Sequence, residues 1–242
     1  GATNPRDSLA SQLGYVGRLK VGLDWLLRKQ GLGISNHFEV GAFLCLLEDE
    51  AVPDVQLECI AMRGDFAPKG ISLEPGYQCF ASLQRPTSRG KLWIDGADPA
   101  LAPKFRFNYL STDSDKQVAI DAVKATRELF QQSAWQGRLS QELSGVNGLE
   151  SDKDIMKWVY AHVESNYHPC GTCSMGLDDK AVTDEEGRVH GINKLRVVDA
   201  SIIPSIPAGN LNAVTIMLAE KIADSILGLS PLAPEYPAVA RC

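Results

Sequence analysis

The stretch of sequence that decides the fold covers residues 195–215 and reads LRVVDASIIPSIPAGNLNAVT. A short apolar run, Lys194–Val198, is typical of a strand and leads to the acidic residue Asp199. After a loop rich in proline and glycine, the pattern predicts a helix over Ala213–Leu227, apolar on most sides and therefore buried between layers. Unpaired N–H groups and the dipole at such a helix start favour negative charge, although a helix simply capped by Asn212 would give the same pattern.

The second informative stretch, residues 165–176, reads SNYHPCGTCSMG. The proline after His168 and the nearby glycine place its imidazole on rigid, irregular backbone of the kind that often holds catalytic side chains. A neutral imidazole accepts a proton near neutral pH, so His168 is a candidate general base. The alternative is an ordinary histidine in a turn.

Cys170 and Cys173 form a C-x-x-C pattern within the same stretch, which is compatible with a thiol redox pair or with half of a zinc site. A zinc site needs two further ligands at close spacing, and the sequence that follows supplies none, so no metal is expected. Redox motifs usually open a helix, whereas proline and glycine interrupt the backbone here. Structural thiols are the favoured interpretation.

The remainder of the chain alternates between helical and sheet-like patterns. Apolar periodicity predicts helices over 13–30, 114–133 and 151–165, the last capped by Ser151. Extended segments are predicted at 37–47, 55–62, 77–83, 91–94 and 105–109, with a loop over 68–76. These patterns favour an α+β fold: a mostly antiparallel sheet covered by helices over about 1–165, a compact segment over 166–232, and an irregular tail over 233–242.

Composition argues against two classes of protein, those that bind nucleic acids and those that span a membrane. The 242 residues carry a formal net charge of −6 and a pI near 5.3, which argues against a nucleic-acid partner because such partners favour a basic face. No apolar run approaches the roughly 20 residues that a membrane span needs. The six cysteines are scattered through a chain with plenty of apolar residues and are not needed as staples, which favours a reduced, intracellular protein. We therefore expect a cytoplasmic protein, with membrane association left open because a partial chain does not show its targeting signals.

Taken together, these motifs resemble the C-terminal signature of the glucose–methanol–choline (GMC) oxidoreductases. The matching segments are YHPCGTCSMG at 167–176, LRVVDAS at 195–201 and GNLNA at 209–213. Upstream, GLGISNHFEVG at 31–41, RPTSRG at 85–90 and FNY at 107–109 are similar to the choline dehydrogenase branch. The resemblance implies a substrate-binding domain over about 1–165 and, over 166–232, the C-terminal part of an FAD-binding α/β domain.

The resemblance also implies roles for individual residues. His168 corresponds to the catalytic histidine of the family, and Asn210 to its second active-site residue, a histidine or an asparagine. Other residues are expected to lie against FAD, either directly or through backbone N–H groups aimed at the pyrimidine end of the flavin: Asp199 and Ala200, and Asn212, Ala213 and Val214. Glu39 is a candidate to face a cationic head group, with Tyr77, Phe80 or Trp93 offering aromatic faces. The alternative is that Glu39 pairs with an arginine and that the aromatic side chains belong to the core.

The implied activity is FAD-dependent oxidation of a primary alcohol, choline or a similar small alcohol, to the aldehyde. His168 would take the hydroxyl proton, Asn210 would hydrogen-bond the alcohol oxygen, and a hydride would pass to flavin N5. The electron acceptor, whether oxygen, a quinone or another carrier, stays open. Three alternatives also stay open: a general aliphatic or aromatic alcohol dehydrogenase of the same family, a non-catalytic module that kept the fold, and a thiol oxidoreductase built on the C-x-x-C.

The sequence departs from the family pattern in two places. The Gly-x-Gly-x-x-Gly fingerprint that cradles the cofactor pyrophosphate follows no predicted strand. The chain is therefore expected to be a fragment or one piece of a split enzyme, inactive alone, whose partner is the missing N-terminal FAD-binding half. The second departure is Glu58-Cys59, where choline-type members carry His-Phe.

Overall fold

The computed structural model describes residues 1–47, 52–67, 70–142, 145 and 148–236. The α-helices of this part of the chain are α1 Tyr15–Arg28, α2 Asp113–Gln131, α3 Asp152–His162 and α4 Leu211–Leu227. Its strands are β1 Val40–Leu44, β2 Val55–Ile60, β3 Arg63–Ala67, β4 Gly70–Glu74, β5 Gln78–Leu83, β6 Lys91–Trp93 and β7 Lys104–Arg106. The predicted α+β class is confirmed.

The strands form small sheets rather than one large sheet. A three-stranded sheet has the order β1-β2-β5, in which β1 and β2 run antiparallel with Val40 opposite Cys59. The antiparallel pairs β3–β4 and β6–β7 make two further ribbons. Because β5 pairs beside β2, the β3–β4 hairpin is an excursion between two neighbouring strands.

The predicted loop over 68–76 is wrong for most of its length. Gly70–Glu74 forms β4, which pairs with β3 in an antiparallel ladder that sets Gly70 opposite Ala67. Residues 68 and 69 lie outside the described residues. The density of proline and glycine suggested a loop, but the pairing of Gly70–Glu74 with β3, which local composition does not show, makes this segment a strand.

The three predicted helices before residue 165 are confirmed, and their ends follow local chemistry. Helix α1 ends at Arg28, and its C-cap residue, Lys29, adopts the left-handed conformation with φ of 54°. Helix α3 begins after Ser151, whose hydroxyl accepts a hydrogen bond from the Asp154 N–H at 3.2 Å and donates one to the Asp154 carboxylate at 2.6 Å. This reciprocal cap satisfies an N–H group that the first helical turn leaves unpaired.

The chain divides into two compact units, each assembled from separate segments. The first comprises Gly1–Leu46, Val55–Ser82 and Val118–His162, and the second Leu47–Asp54, Leu83–Gln117 and Val163–Cys242. Buried apolar residues of the first unit include Leu57, Ile60, Ala122, Ile155 and Val159, and those of the second Leu110, Ile202, Ile203, Leu211 and Ile222. The functional boundary near residue 165 stays a prediction. Within the predicted tail, residues 233–236 have no regular structure and 237–242 lie outside the described residues.

The predicted strand Lys194–Val198 does not form a ladder. Arg196 pairs with Arg188 in a single antiparallel bridge, and the Val197 N–H donates to the Gly187 carbonyl at 2.8 Å. Gly187 has φ of 72°, and a Cβ built there would lie 2.5 Å from the Val197 carbonyl oxygen. Two loop backbones therefore cross at contact distance, and this crossing takes the place of a strand pair.

Helix α4 differs from the prediction at its start and in its burial. It begins at Leu211 with Asn210 as the N-cap, so the assignment of Asn212 as N-cap is wrong. Several of its large apolar side chains are exposed: Ile216 (54%), Met217 (52%), Ile226 (57%) and Leu227 (71%). The predicted burial between layers is therefore not found, because no part of the described chain covers this face. None of the described helices is both long enough and apolar enough to cross a bilayer.

Candidate active site

The loop that carries His168 has a constrained backbone on both sides. Tyr167 has a positive φ of 59°, and Pro169 fixes its own φ and restricts His168 to extended conformations. Gly171 has φ of 84°, and a Cβ there would lie 3.4 Å from the Ile203 carbonyl oxygen. The imidazole of His168 is half-buried, and within the described chain no hydrogen bond engages it.

Backbone hydrogen bonds bring the loop of His168 to the turn that follows Asp199. The Cys173 N–H donates to the Ser201 carbonyl at 3.0 Å, and the Met175 N–H donates to the Ile202 carbonyl at 2.8 Å. Ile202 is fully buried and anchors this contact in the core of the second unit. The two stretches singled out by the sequence are thus neighbours in space.

Asp199 caps a short 3-10 turn, Ala200–Ile202. Its carboxylate oxygen Oδ1 accepts a hydrogen bond from the Ser201 N–H at 2.7 Å. The Asp199 side chain is exposed and Ala200 is half-buried. Both residues therefore present surface beside the loop of His168, and their contact with FAD stays a prediction.

The start of α4 leaves donors available. Asn210 has the extended backbone of an N-cap (φ −67°, ψ 142°), yet its side chain makes no capping hydrogen bond. Asn212 and Ala213 are exposed, and the first turn contains no acidic residue. Their N–H groups belong to those that a helix leaves without an internal partner. Val214 follows them, and a regular helix directs its N–H to the Asn210 carbonyl.

Glu39 belongs to the first unit and immediately precedes β1. Its side chain is exposed, and its Oε1 accepts a hydrogen bond from the Ser35 hydroxyl at 2.6 Å. This bond orients the carboxylate without neutralising its charge. Two of the aromatic residues proposed to assist Glu39 pack on other rings. The ring centroids of Phe80 and Phe38 are 5.9 Å apart, and those of Tyr77 and Trp135 are 4.9 Å apart.

Trp93, the third aromatic candidate, lines a cleft of about 270 Å³ in the second unit. The other lining residues are Arg89, Gly90, Lys91, Arg106 and Asn108. Three cationic side chains around one cleft repel a quaternary ammonium group. Trp93 is therefore a poor partner for a cationic substrate.

A buried carboxylate that the sequence analysis did not single out holds the RPTSRG loop (85–90). The carboxylate of Asp115 accepts hydrogen bonds from the Thr87 N–H and the Ser88 N–H, both at 2.8 Å, and from the Thr87 hydroxyl at 2.9 Å. Burial opposes its ionisation, but the hydrogen bonds from Ser88 and Thr87 outweigh that cost, and the pKa of Asp115 lies below its usual value. The only feature of the sequence that could have identified Asp115 is its position in the first turn of the predicted helix α2.

Cys170 and Cys173 are both free thiols. Burial raises the pKa of Cys170, an effect that the charge of Arg89 only partly opposes. A thiol with a raised pKa is a weak nucleophile near neutral pH. The structure therefore favours structural thiols at the C-x-x-C.

Known proteins resemble the chain in sequence. A family model described as GMC oxidoreductase matches residues 86–219. An oxygen-dependent choline dehydrogenase of Citrobacter koseri is 42% identical over 226 residues, which cover 93% of this chain and 40% of that protein. The chain thus spans about 40% of the length of the curated relatives it matches.

Solved structures resemble it in fold. Formate oxidase superposes with a TM-score of 0.82 at 25% identity, over 91% of this chain and 44% of the other. A variant of the Aspergillus oryzae formate oxidase, studied for FAD modification, gives a TM-score of 0.79 at 24% identity with the same coverage of both chains. In each case, the similarity covers less than half of the larger protein.

Proposed function

This chain belongs to the GMC oxidoreductase family, and from that membership we propose that it is the C-terminal, catalytic part of an FAD-dependent enzyme that oxidises a primary alcohol, choline or a similar small alcohol, to the aldehyde. One observation carries the proposal. The half-buried His168 lies on a loop hydrogen-bonded to the turn after Asp199, in the same unit as the exposed start of α4. A base and an electropositive helix end thus occupy one unit.

The residues at the start of α4 fit a flavin. Unpaired N–H donors, the positive end of the helix dipole and the absence of an acidic residue in the first turn favour a group that gains negative charge. We assign the backbone N–H groups of Asn212 and Ala213, and more weakly of Val214, to FAD, together with the surface of Asp199 and Ala200. FAD, when bound, supplies the acceptor for the hydride that leaves the alcohol carbon.

His168 and Asn210 act on the alcohol oxygen in this proposal. The imidazole accepts the hydroxyl proton at Nε2, the ring nitrogen farther from the backbone, because a neutral imidazole is a competent base near neutral pH. The Asn210 amide is free to donate from Nδ2 to the same oxygen, since it makes no capping hydrogen bond. Removal of the proton makes departure of hydride from the adjacent carbon easier.

Glu39 gives the proposal its substrate preference. Its exposed carboxylate, oriented by Ser35, suits a quaternary ammonium group such as that of choline. The similarity to a choline dehydrogenase supports the same preference. The second candidate is a general alcohol dehydrogenase of this family, which the packing of Tyr77 and Phe80 against other rings favours.

The exposed face of α4 supports the idea of a larger enzyme. Apolar side chains such as Ile216 and Met217 are costly to leave in water, and a contiguous apolar face usually marks a contact surface. The curated relatives are more than twice as long as the matched segment. We infer that the N-terminal FAD-binding half covers this face, and we propose a cytoplasmic location for the assembled enzyme.

Substrate choice tests the proposal in the complete enzyme. We expect kcat/KM for choline to exceed that for its uncharged isostere 3,3-dimethylbutanol by about tenfold or more, equivalent to roughly 1.4 kcal/mol. Glu39→Gln should remove most of that preference, while the matched control Glu74→Gln, an exposed carboxylate paired with Arg63, should leave it unchanged.

Two outcomes would count against this account in different ways. If both alcohols react equally well, the enzyme is a general alcohol dehydrogenase and the role of Glu39 is lost. If neither alcohol reduces bound FAD, the proposed activity itself is wrong.

A further inference from the structure

Two thiols lie side by side on adjacent strands of the three-stranded sheet in the first unit. Cys59 lies on β2 and Cys79 on β5, which are adjacent strands, and their Sγ atoms are 3.0 Å apart. Both are free and partly accessible to solvent. We propose that Cys59 and Cys79 are a redox modification site, which closes to a disulfide in exchange with a small disulfide such as oxidised glutathione.

The geometry needs little rearrangement. Neighbouring strands lie about 4.8 Å apart, within the Cα separation of roughly 4.4–6.8 Å that disulfides span. The sulfur atoms must approach by about 1 Å to reach a bond length of about 2.05 Å. Small side-chain rotations supply that distance, so the ladder that pairs β1 with β2 need not shift.

The pair also has an identifiable nucleophile. The hydrogen bond with Cys79 lowers the pKa of Cys59 to about 7, although burial opposes the shift. The same hydrogen bond, with burial, raises the pKa of Cys79. The pair therefore loses its first proton readily and keeps the second, as two strongly interacting groups do. Cys59 is the thiolate that attacks.

The chemistry balances as two thiol–disulfide exchanges. The Cys59 thiolate attacks one sulfur of oxidised glutathione, forming a mixed disulfide and releasing one glutathione thiolate, which takes up a proton. Cys79, after losing its proton, then attacks the Cys59 sulfur, and a second glutathione leaves. The protein pair loses two electrons and two protons, and one oxidised glutathione becomes two reduced molecules.

The C-x-x-C at Cys170 and Cys173 is a weaker candidate for this chemistry. Burial raises the pKa of Cys170, whereas the pKa of Cys59 is lowered. The more reactive thiol therefore lies in the sheet, although Cys59 and Cys79 are 20 positions apart in sequence. Their pairing depends on the strand order β1-β2-β5, which places two strands side by side across the β3–β4 hairpin.

Peptide mapping of the full 242-residue chain tests the site. The protein is reduced, exposed to oxidised glutathione, alkylated and digested with trypsin. We expect a disulfide, about 2 Da lighter than the two free thiols, joining the peptide that ends at Arg63 to the one that begins at Gly70, with fragmentation placing it on Cys59 rather than Cys45. The melting temperature should rise by roughly 3 to 10 °C, because the bond closes a loop of about 20 residues.

Variants separate the proposed pair from general thiol oxidation. Cys79→Ser should trap glutathione on Cys59, and Cys59→Ser should leave Cys79 largely unmodified. The control Cys173→Ser should form the cross-link as the unaltered chain does. Two outcomes in the unaltered chain would overturn the proposal: both thiols are still alkylated after oxidation, or each carries its own glutathione without a cross-link. A Cys79→Ser chain that takes up no glutathione at Cys59 would overturn it as well.

Discussion

At the level of single residues, His168 owes its position to its neighbours in sequence. The left-handed backbone of Tyr167 and the fixed ring of Pro169 constrain the backbone that carries the imidazole, and no hydrogen bond in the described chain engages the ring. The proposed base therefore keeps both ring nitrogens available. His162 differs from His168 in this respect. Its Nδ1 lies 2.8 Å from the Trp158 carbonyl oxygen, and its ring stacks on the Trp158 ring.

Replacement of this histidine is the sharpest test at the residue scale. In the complete enzyme, His168→Ala should lower kcat by a factor on the order of 100 to 10,000, because general base catalysis contributes that much. Binding of FAD should change little. His162→Ala, an exposed histidine outside the proposed site, is the matched control and should retain activity in steady-state assays. Full activity of His168→Ala would favour another base, and an inactive wild-type enzyme would favour a non-catalytic module.

At the level of elements, the buried carboxylate of Asp115 joins the first turn of α2 to the RPTSRG loop. Three hydrogen bonds from Thr87 and Ser88 converge on it. Since its pKa is lowered in the folded state, its ionised form stabilises the protein above the unfolded pKa of about 4. That contribution is lost as pH falls through the lower, folded pKa.

Asp115→Asn should therefore lower the free energy of unfolding by roughly 1–3 kcal/mol at pH 7, as measured by urea denaturation. The difference from the unaltered chain should begin to shrink below about pH 4, where the unfolded carboxyl takes up its proton, and should be lost as pH falls through the lower pKa of the folded state. Asp113→Asn, an exposed carboxylate on the same helix paired with Lys116, should have little effect at pH 7. A difference that grows in acid would contradict this account of the loop.

The sequence predicted elements with strong periodicity and failed where long-range pairing decides the structure. Helices α1, α2 and α3 follow from apolar spacing, with the Ser151 cap as a further signal for α3. The hairpin β3–β4 and the loop crossing at Gly187 do not, because their pairing partners are set by tertiary contacts. The contact between Cys59 and Cys79 likewise depends on strand order.

The candidate site, too, was predicted from the sequence only in part. Motif spacing picked out the segments of His168, Asp199 and Asn210, and the structure ties the first two together through hydrogen bonds of Cys173 and Met175. The N-cap of α4 was placed two residues late, since Asn210 and Asn212 are both suitable cap residues. Asp115 was missed because an acidic residue in a first helical turn is ordinarily a solvated one.

At the level of the whole molecule, the exposed side chains of α4 are consistent with a chain that spans about 40% of the length of its curated relatives. Its apolar face and its bare N-terminus are both surfaces that another part of an enzyme would cover. If the proposed N-terminal half covers these surfaces in the complete enzyme, this chain should bind FAD weakly on its own. The account therefore depends on what occupies the space in front of α4.

A crystal structure of the complete enzyme with FAD and an unreactive alcohol analogue measures this directly. The account predicts His168 Nε2 and Asn210 Nδ2 each within about 3 Å of the same alcohol oxygen, with the flavin pyrimidine ring on the first turn of α4. Side chains of His168 and Asn210 that point to different cavities, or packed protein where the flavin should lie, would contradict it.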